Sequence, residues 1–167
     1  MILVRAETDS DHEAVRAVNV LAFERPDEAD LVDRLRGDGS ILASLVAVNR
    51  EQLVGHILFT RLLVRTPRGD VNAVALAPMA VLPEHQRQHV GSTLVREGLR
   101  VLRDAGEQIV VVVGHPEFYP RFGFAAHLTR NLRSPFSGPA FMALELRRGA
   151  LEGIVGELRY PPAFGIP

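Results

Sequence analysis

This chain of 167 residues contains no cysteine, no tryptophan and no lysine; all 19 of its basic residues are arginine. Without cysteine there is no disulfide framework, no thiolate nucleophile and no cysteine-containing zinc site. Without lysine there is no Schiff base and no Gly-Lys-Ser/Thr phosphate loop. An excess of one charge is also missing: 19 basic against 20 acidic residues give a net charge of −1 and a pI near 6.6. Such a balance carries no nucleic-acid footprint. Long hydrophobic runs are lacking too. Met1-Ile-Leu-Val-Arg5 is too short for a signal peptide, and no stretch approaches the ~20 apolar residues of a membrane span. The expectation is a cytoplasmic protein with neither a membrane nor a nucleic-acid partner.

What is present suits a globular domain. Apolar residues make up 47% and charged residues 23%, and a chain of this size buries roughly 68–70% of its unfolded surface. No repeat, low-complexity tract or linker divides it, so residues 1–167 read as one domain. A short strand is expected over 2–6. Ser10-Asp-His-Glu13 has the pattern of a capping box opening a helix that runs to Phe23. Pro26 suits the first turn of a second helix with Leu31, Val32 and Leu35 buried, closed by Gly37. Apolar runs at 41–48 and 53–65 around Asn49-Arg-Glu-Gln52 predict an antiparallel hairpin, and Thr66-Pro-Arg-Gly-Asp70 a turn into a strand over 71–82.

A helix follows with Val90, Leu94, Val95, Leu99 and Leu102 on one side, then Ile109–Val113, an uninterrupted apolar run typical of a central strand covered on both faces. A helical turn at 117–122, a loop at 127–139 and a final pair of strands near 140–147 and 155–160 complete the chain. The fold class is a mixed α/β (α+β) sheet, mostly antiparallel, with a parallel strand–helix–strand crossover.

Two stretches carry chemistry. In Leu76-Ala-Pro-Met-Ala-Val-Leu-Pro-Glu-His-Gln-Arg-Gln-His-Val-Gly-Ser92 a strand breaks at Pro83 and leads into a helix start, whose free amides and positive dipole end suit a phosphate. Gly114-His-Pro-Glu-Phe-Tyr119-Pro-Arg-Phe-Gly-Phe124 lies just past the buried strand, where open α/β sheets bind ligands. His85 and His89 have metal-ligand spacing on a helix but no fixed third ligand, so no metal is expected. Asp27, Glu28 and Asp30 cluster at the second helix start, where carboxylates complement the dipole.

Together the two stretches resemble the GNAT superfamily of acetyl-CoA-dependent N-acetyltransferases. Its Gln/Arg-x-x-Gly-x-Gly/Ala signature corresponds to Gln86-Arg-Gln-His89-Val-Gly91, and its Tyr four residues before Gly-Phe to Tyr119 and Gly123-Phe124. The close of the chain, Tyr160-Pro-Pro-Ala-Phe, is similar to the ending of a small bacterial branch. The resemblance implies a single GNAT domain that transfers acetyl from acetyl-CoA, as co-substrate, directly to a primary amine in a ternary complex. It places the pantetheine arm on backbone groups of Met79, Ala80 and Val81 and the pyrophosphate on the backbone amides of Arg87, Gln88, His89, Val90, Gly91 and Ser92.

The same resemblance makes Tyr119 the acid for the departing thiolate, whereas His115 and Glu84 are candidate bases. His89 stands where the family has its first motif glycine, so a side chain enters the phosphate loop. That departure keeps a second function in view, a non-catalytic acyl-CoA-binding sensor. The acidic cluster at 27–30 would border the acceptor pocket and hold a cationic amine, while Arg130 and Arg133 hint at an acidic feature in the acceptor. The acceptor itself, a small molecule or a peptide or protein amine, is not written in the sequence. Nor is the choice between monomer and homodimer, although edge strands near the C-terminus can pair across a dimer.

Overall fold

The computed structural model describes residues 1–136 and 138–166; residue 137, within the loop expected over 127–139, lies outside the described residues. Alternating apolar positions and tight turns build one sheet. Its strands are β1 (Ile2–Ala6), β2 (Ile41–Asn49), β3 (Gln52–Thr66), β4 (Gly69–Val81), β5 (Ile109–Val113), β6 (Leu132–Arg133), β7 (Phe141–Glu145) and β8 (Gly156–Arg159). The main path runs β1-β2-β3-β4-β5-β7, antiparallel except for the parallel β4–β5 pair. That pair is joined by helix α3 (Val90–Asp104), so the crossover and the mixed α/β class hold.

α3 packs on one face, where Gly55 admits its Val90 and Leu94, and Gly98 makes room for the Phe59 ring. Helices α1 (His12–Phe23) and α2 (Asp27–Asp38) cover the other, with Val15, Val32 and Leu35 against Val46 and Leu58. Successive β3 residues thus face opposite helical layers, as strand pleating requires.

The structure differs from the sequence reading at several ends. The box that opens the first helical region is not Ser10–Glu13 but Thr8–Asp11: the Thr8 N–H donates to Asp11 Oδ2 at 2.7 Å. Arg5 donates to both Asp11 oxygens, at 2.7 and 3.0 Å. Those bonds from Arg5 hold the Asp11 carboxyl well below the usual carboxylate range, with Thr8 adding to them. α2 is closed by Gly39 in the left-handed region (φ 74°) rather than by Gly37. The segment expected as a loop over 127–139 contains a 3-10 turn (Ala126–Thr129) and the two-residue β6.

The last two strands do not pair with each other. β8 lies antiparallel on Leu63–Arg65 of β3, past the point where β2 leaves that edge, and parallel to β6. Gly156 permits this approach, because a Cβ there would fall 2.4 Å from the Arg65 carbonyl oxygen. The outer edge of β7 is partly occupied by Ala125, bonded to Ala143 at 2.9 and 3.1 Å.

A polar chain pins α1 and α2 to the sheet. Arg36 of α2 pairs with Glu7, whose carboxylate accepts from Ser44 Oγ at 2.6 Å. Since the only Ser44 hydroxyl hydrogen is used there, its oxygen accepts from His56 Nε2 at 2.9 Å. His56 Nδ1 then accepts from Asn19 Nδ2 at 3.2 Å, and the same amide donates to the Val15 carbonyl at 3.0 Å. Burial, with the Arg36 charge adding to it, pushes the His56 pKa down to about 3, so the imidazole is held neutral. Among the described residues, no helix is long and apolar enough to cross a membrane.

Candidate active site

The site forms where β4 and β5 part. Their ladder covers only Val74–Leu76 against Val110–Val112. Just beyond it, Ala77 and Pro78 stand opposite the single residue Leu58, a β-bulge that accepts a proline without losing a ladder bond. The bulge turns the end of β4 away from β5. Past it, Leu82 N–H donates to the Val54 carbonyl at 2.9 Å. That bond sets the antiparallel alternation: Ala80 and His56 form a hydrogen-bonded pair, while Met79 and Val81 direct their N–H and C=O groups away from β3 into the gap. Of these, the Val81 carbonyl accepts from Gln86 Nε2 at 3.0 Å.

The start of α3 closes one side of the gap. Thr93 N–H to the His89 carbonyl, at 3.0 Å, is the first helical bond, so the amides of Val90, Gly91 and Ser92 precede it and have no partner among the described residues. His89 is the N-cap, in the left-handed region with φ 66°, and Arg87 shares that region at φ 62°. This conformation is what a glycine would supply freely; His is among the side chains that tolerate it best. Gly91 lies between the two walls, since a Cβ there would meet Met79 Cε at 3.3 Å and Phe118 Cζ at 3.6 Å.

The other wall is the turn after β5. Tyr119 opens a 3-10 turn (Tyr119–Phe122), stacked edge-on between Phe118, at 5.0 Å between ring centroids, and Phe124, at 5.6 Å. It is 5% exposed, its hydroxyl has no hydrogen-bond partner among the described residues, and burial pushes its pKa up to about 12. Against an ordinary thiol at ~8.5, the phenol is therefore a weaker acid than its reference value of ~10 implies.

The resulting cleft has a volume of about 580 Å³. Of the residues expected at a cofactor, Met79, Val81, Arg87, His89, Gly91 and Ser92 line it, together with His85, Gln86, His115, Glu117, Phe118 and Arg121. Ala80, Gln88 and Val90 do not, and neither does Tyr119, whose ring is buried against Phe118. Ala80 is paired with β3, the exposed Gln88 side chain donates to the Glu84 carbonyl at 3.4 Å, and the Val90 side chain packs on Gly55 while its backbone amide stays at the helix start. Glu84 stands on the exposed turn Pro83–His85, outside the cleft. The helix presumed for the His85–His89 pair ends at that short turn, and no cluster of three potential metal ligands occurs among the described residues.

The acidic cluster on α2 is partly paired with arginines. Asp30 and Asp33 take the Arg16 guanidinium at 2.9 and 2.8 Å, and Glu28 accepts from Arg25 Nε at 2.9 Å. That bond from Arg25 holds Glu28 below its ordinary range. Two guanidiniums thus offset part of the charge of Asp27, Glu28, Asp30 and Asp33, and the cluster stays acidic. Arg130 and Arg133 line two other cavities, the second beside Glu157 and Arg159.

Comparison with known proteins agrees with this geometry. Residues 3–126 match the family model described as an acetyltransferase (GNAT) domain. The chain is 36% identical over 166 residues to the uncharacterized N-acetyltransferase YhbS of Escherichia coli K12, covering 98% of both. It is 44% identical over 120 residues to the uncharacterized N-acetyltransferase YjhQ of the same organism, 69% of this chain and 65% of that one. The crystal structure of E. coli YhbS in complex with CoA superposes with a TM-score of 0.91 at 34% identity, over 99% of this chain and 92% of that one. A Brucella melitensis GNAT acetyltransferase in complex with acetyl-CoA gives 0.83 at 31% identity, over 98% of each.

Proposed function

Because this chain belongs to the GNAT acetyltransferase family, we propose that it binds acetyl-CoA in the β4–β5 cleft and passes the acetyl group directly to a primary amine. The observation that carries the reading is the open edge of β4 facing the bare first turn of α3. Among the described residues, Met79 offers an unpaired donor and acceptor, and Val81 an unpaired donor, to the amide-bearing pantetheine arm. Next to them, the amides of Val90 to Ser92 suit the pyrophosphate. The complexes of YhbS with CoA and of the Brucella protein with acetyl-CoA support the same ligand here.

In this reading the amine nitrogen attacks the thioester carbonyl carbon, the C–S bond breaks, and the sulfur takes its proton from the Tyr119 hydroxyl. The proton lost by the amine restores Tyr119 through solvent. A thiolate leaving beside Tyr119 loses hydration as the phenol does, which lifts both pKa values and narrows the mismatch between them. With no cysteine in the chain, direct attack needs no acyl-thiol intermediate. His115 lines the cleft and Glu84 does not, so His115 is the group assigned to take the amine's proton.

His89 in the phosphate loop favours a second reading, an acyl-CoA sensor without turnover. Calorimetry with acetyl-CoA and a free-thiol release assay over a panel of small amines, peptides and protein lysines separate the two. Binding with amine-dependent thiol release is the expected result. Binding with no release on any amine favours the sensor, and no binding removes both.

A further inference from the structure

The cleft holds two guanidiniums that the reaction does not use. Arg87 stands on the α3 side and Arg121 on the β5 side, and Glu117 is the only acidic residue lining the cleft. Among the described residues neither arginine has a carboxylate within ion-pair distance, whereas Arg5, Arg16, Arg25, Arg36, Arg61 and Arg100 all do. Arg121 is laid over the Phe118 ring instead, 5.4 Å from its centroid. Phe118 in turn is fixed edge-on by Tyr119 at 5.0 Å and Phe122 at 5.2 Å. A stacked guanidinium keeps its planar fork of donors oriented without a carboxylate, which is the arrangement that recognises a phosphate.

Acetyl-CoA carries two kinds of phosphate. The pyrophosphate is a diester for which the helix start supplies neutral amides. The 3′-phosphate is a monoester with close to two charges and three free oxygens, and the same few amides cannot serve it as well. We propose that Arg121 is a specificity-determining residue that holds the 3′-phosphate of the cofactor and makes the cleft discriminate acetyl-CoA from acetyl-dephospho-CoA. This rests on the acetyl-CoA reading above. Arg96 repeats the construction on Phe122, at 5.3 Å from the centroid, but does not line the cleft, so it serves as the control.

The test is calorimetric titration of wild type, Arg121→Met and Arg96→Met with acetyl-CoA and with acetyl-dephospho-CoA, each protein checked for an unchanged unfolding profile. Wild type should bind acetyl-CoA the tighter. Arg121→Met should lose roughly ten- to a hundredfold for acetyl-CoA, the range of a charge-assisted hydrogen bond, and less than about threefold for the dephospho form. Arg96→Met should change neither by more than about threefold. Equal losses for both ligands, no loss for either, or an equal loss in Arg96→Met would overturn the assignment while leaving acetyl-CoA binding intact. A wild-type protein that binds neither ligand would instead refute the reading on which the assignment rests.

Discussion

Tyr119 presses its ring onto the backbone of Gly114: a Cβ on that glycine would lie 2.3 Å from Tyr119 Cε2 and 2.9 Å from Cδ2. The end of β5 therefore positions the proposed acid by leaving a side chain out. Phe118 and Phe124 grip the same ring on its other sides, so the hydroxyl is placed by contacts that involve no hydrogen bond.

Gly114→Ala should displace that ring while keeping every polar group. Overpacking of this kind costs about 1–3 kcal/mol of stability, and a shift of about 1 Å in a reacting group costs on the order of a hundredfold in rate. Turnover should fall by roughly that factor in a protein that remains folded, as read from kcat beside thermal unfolding. Unchanged turnover would mean that the Tyr119 position is not critical.

His89 holds a left-handed backbone that glycine adopts without strain. His89→Gly should change the acetyl-CoA dissociation constant by less than about tenfold, since one backbone contact is worth about 0.5–1.5 kcal/mol. Calorimetry checks this directly. A several-hundredfold tightening would show that the imidazole blocks the phosphate loop, and would favour the sensor.

His56 predicts an acid-sensitive fold. Its pKa is about 3 in the folded protein and near ~6.5 when unfolded, so the unfolded chain binds the extra proton between those values. Stability is complete above pH ~6.5 and declines by about 1.4 kcal/mol per pH unit as the pH falls towards 3. Urea unfolding of wild type and His56→Gln between pH 7 and 4 isolates this slope, because other groups titrate in both. An equal slope in the two proteins would contradict the assignment.

The parts legible in the sequence are those fixed by local pattern. Uninterrupted apolar residues mark Ile109–Val113, and the polar step Asn49–Gln52 between apolar runs marks the hairpin, here a two-residue loop at Arg50-Glu51. What the sequence hid depends on contacts made across the fold. The first cap belongs to Thr8 because Asp11 is also held by Arg5 from another element. β8 joins β3 because Gly156 fits against Arg65, 91 positions away, and β6 is too short to show a period. At the site, Tyr119 and the loop at 86–92 were visible as motifs. Gly114 read only as the end of a strand, and Ala80 could not be told from its neighbours until the β3 ladder showed which residues turn to the gap. His85 and Arg121 carry no local signal beyond their charge and join the cleft only through the packing of its walls.

The most direct measurement is the paired kcat and acetyl-CoA dissociation constant of Tyr119→Phe, taken across pH 7 to 10. The substitution keeps the ring, its stacking and its fit to Gly114, and removes the proton donor alone. The account predicts that kcat falls by roughly 10²–10⁴ while binding stays nearly unchanged. Because burial holds the hydroxyl protonated until about pH 12, wild-type turnover should show no loss from Tyr119 ionisation anywhere in that range. Undiminished turnover in the variant, with chemistry rate-limiting, would contradict the account, as would equal losses in binding and turnover.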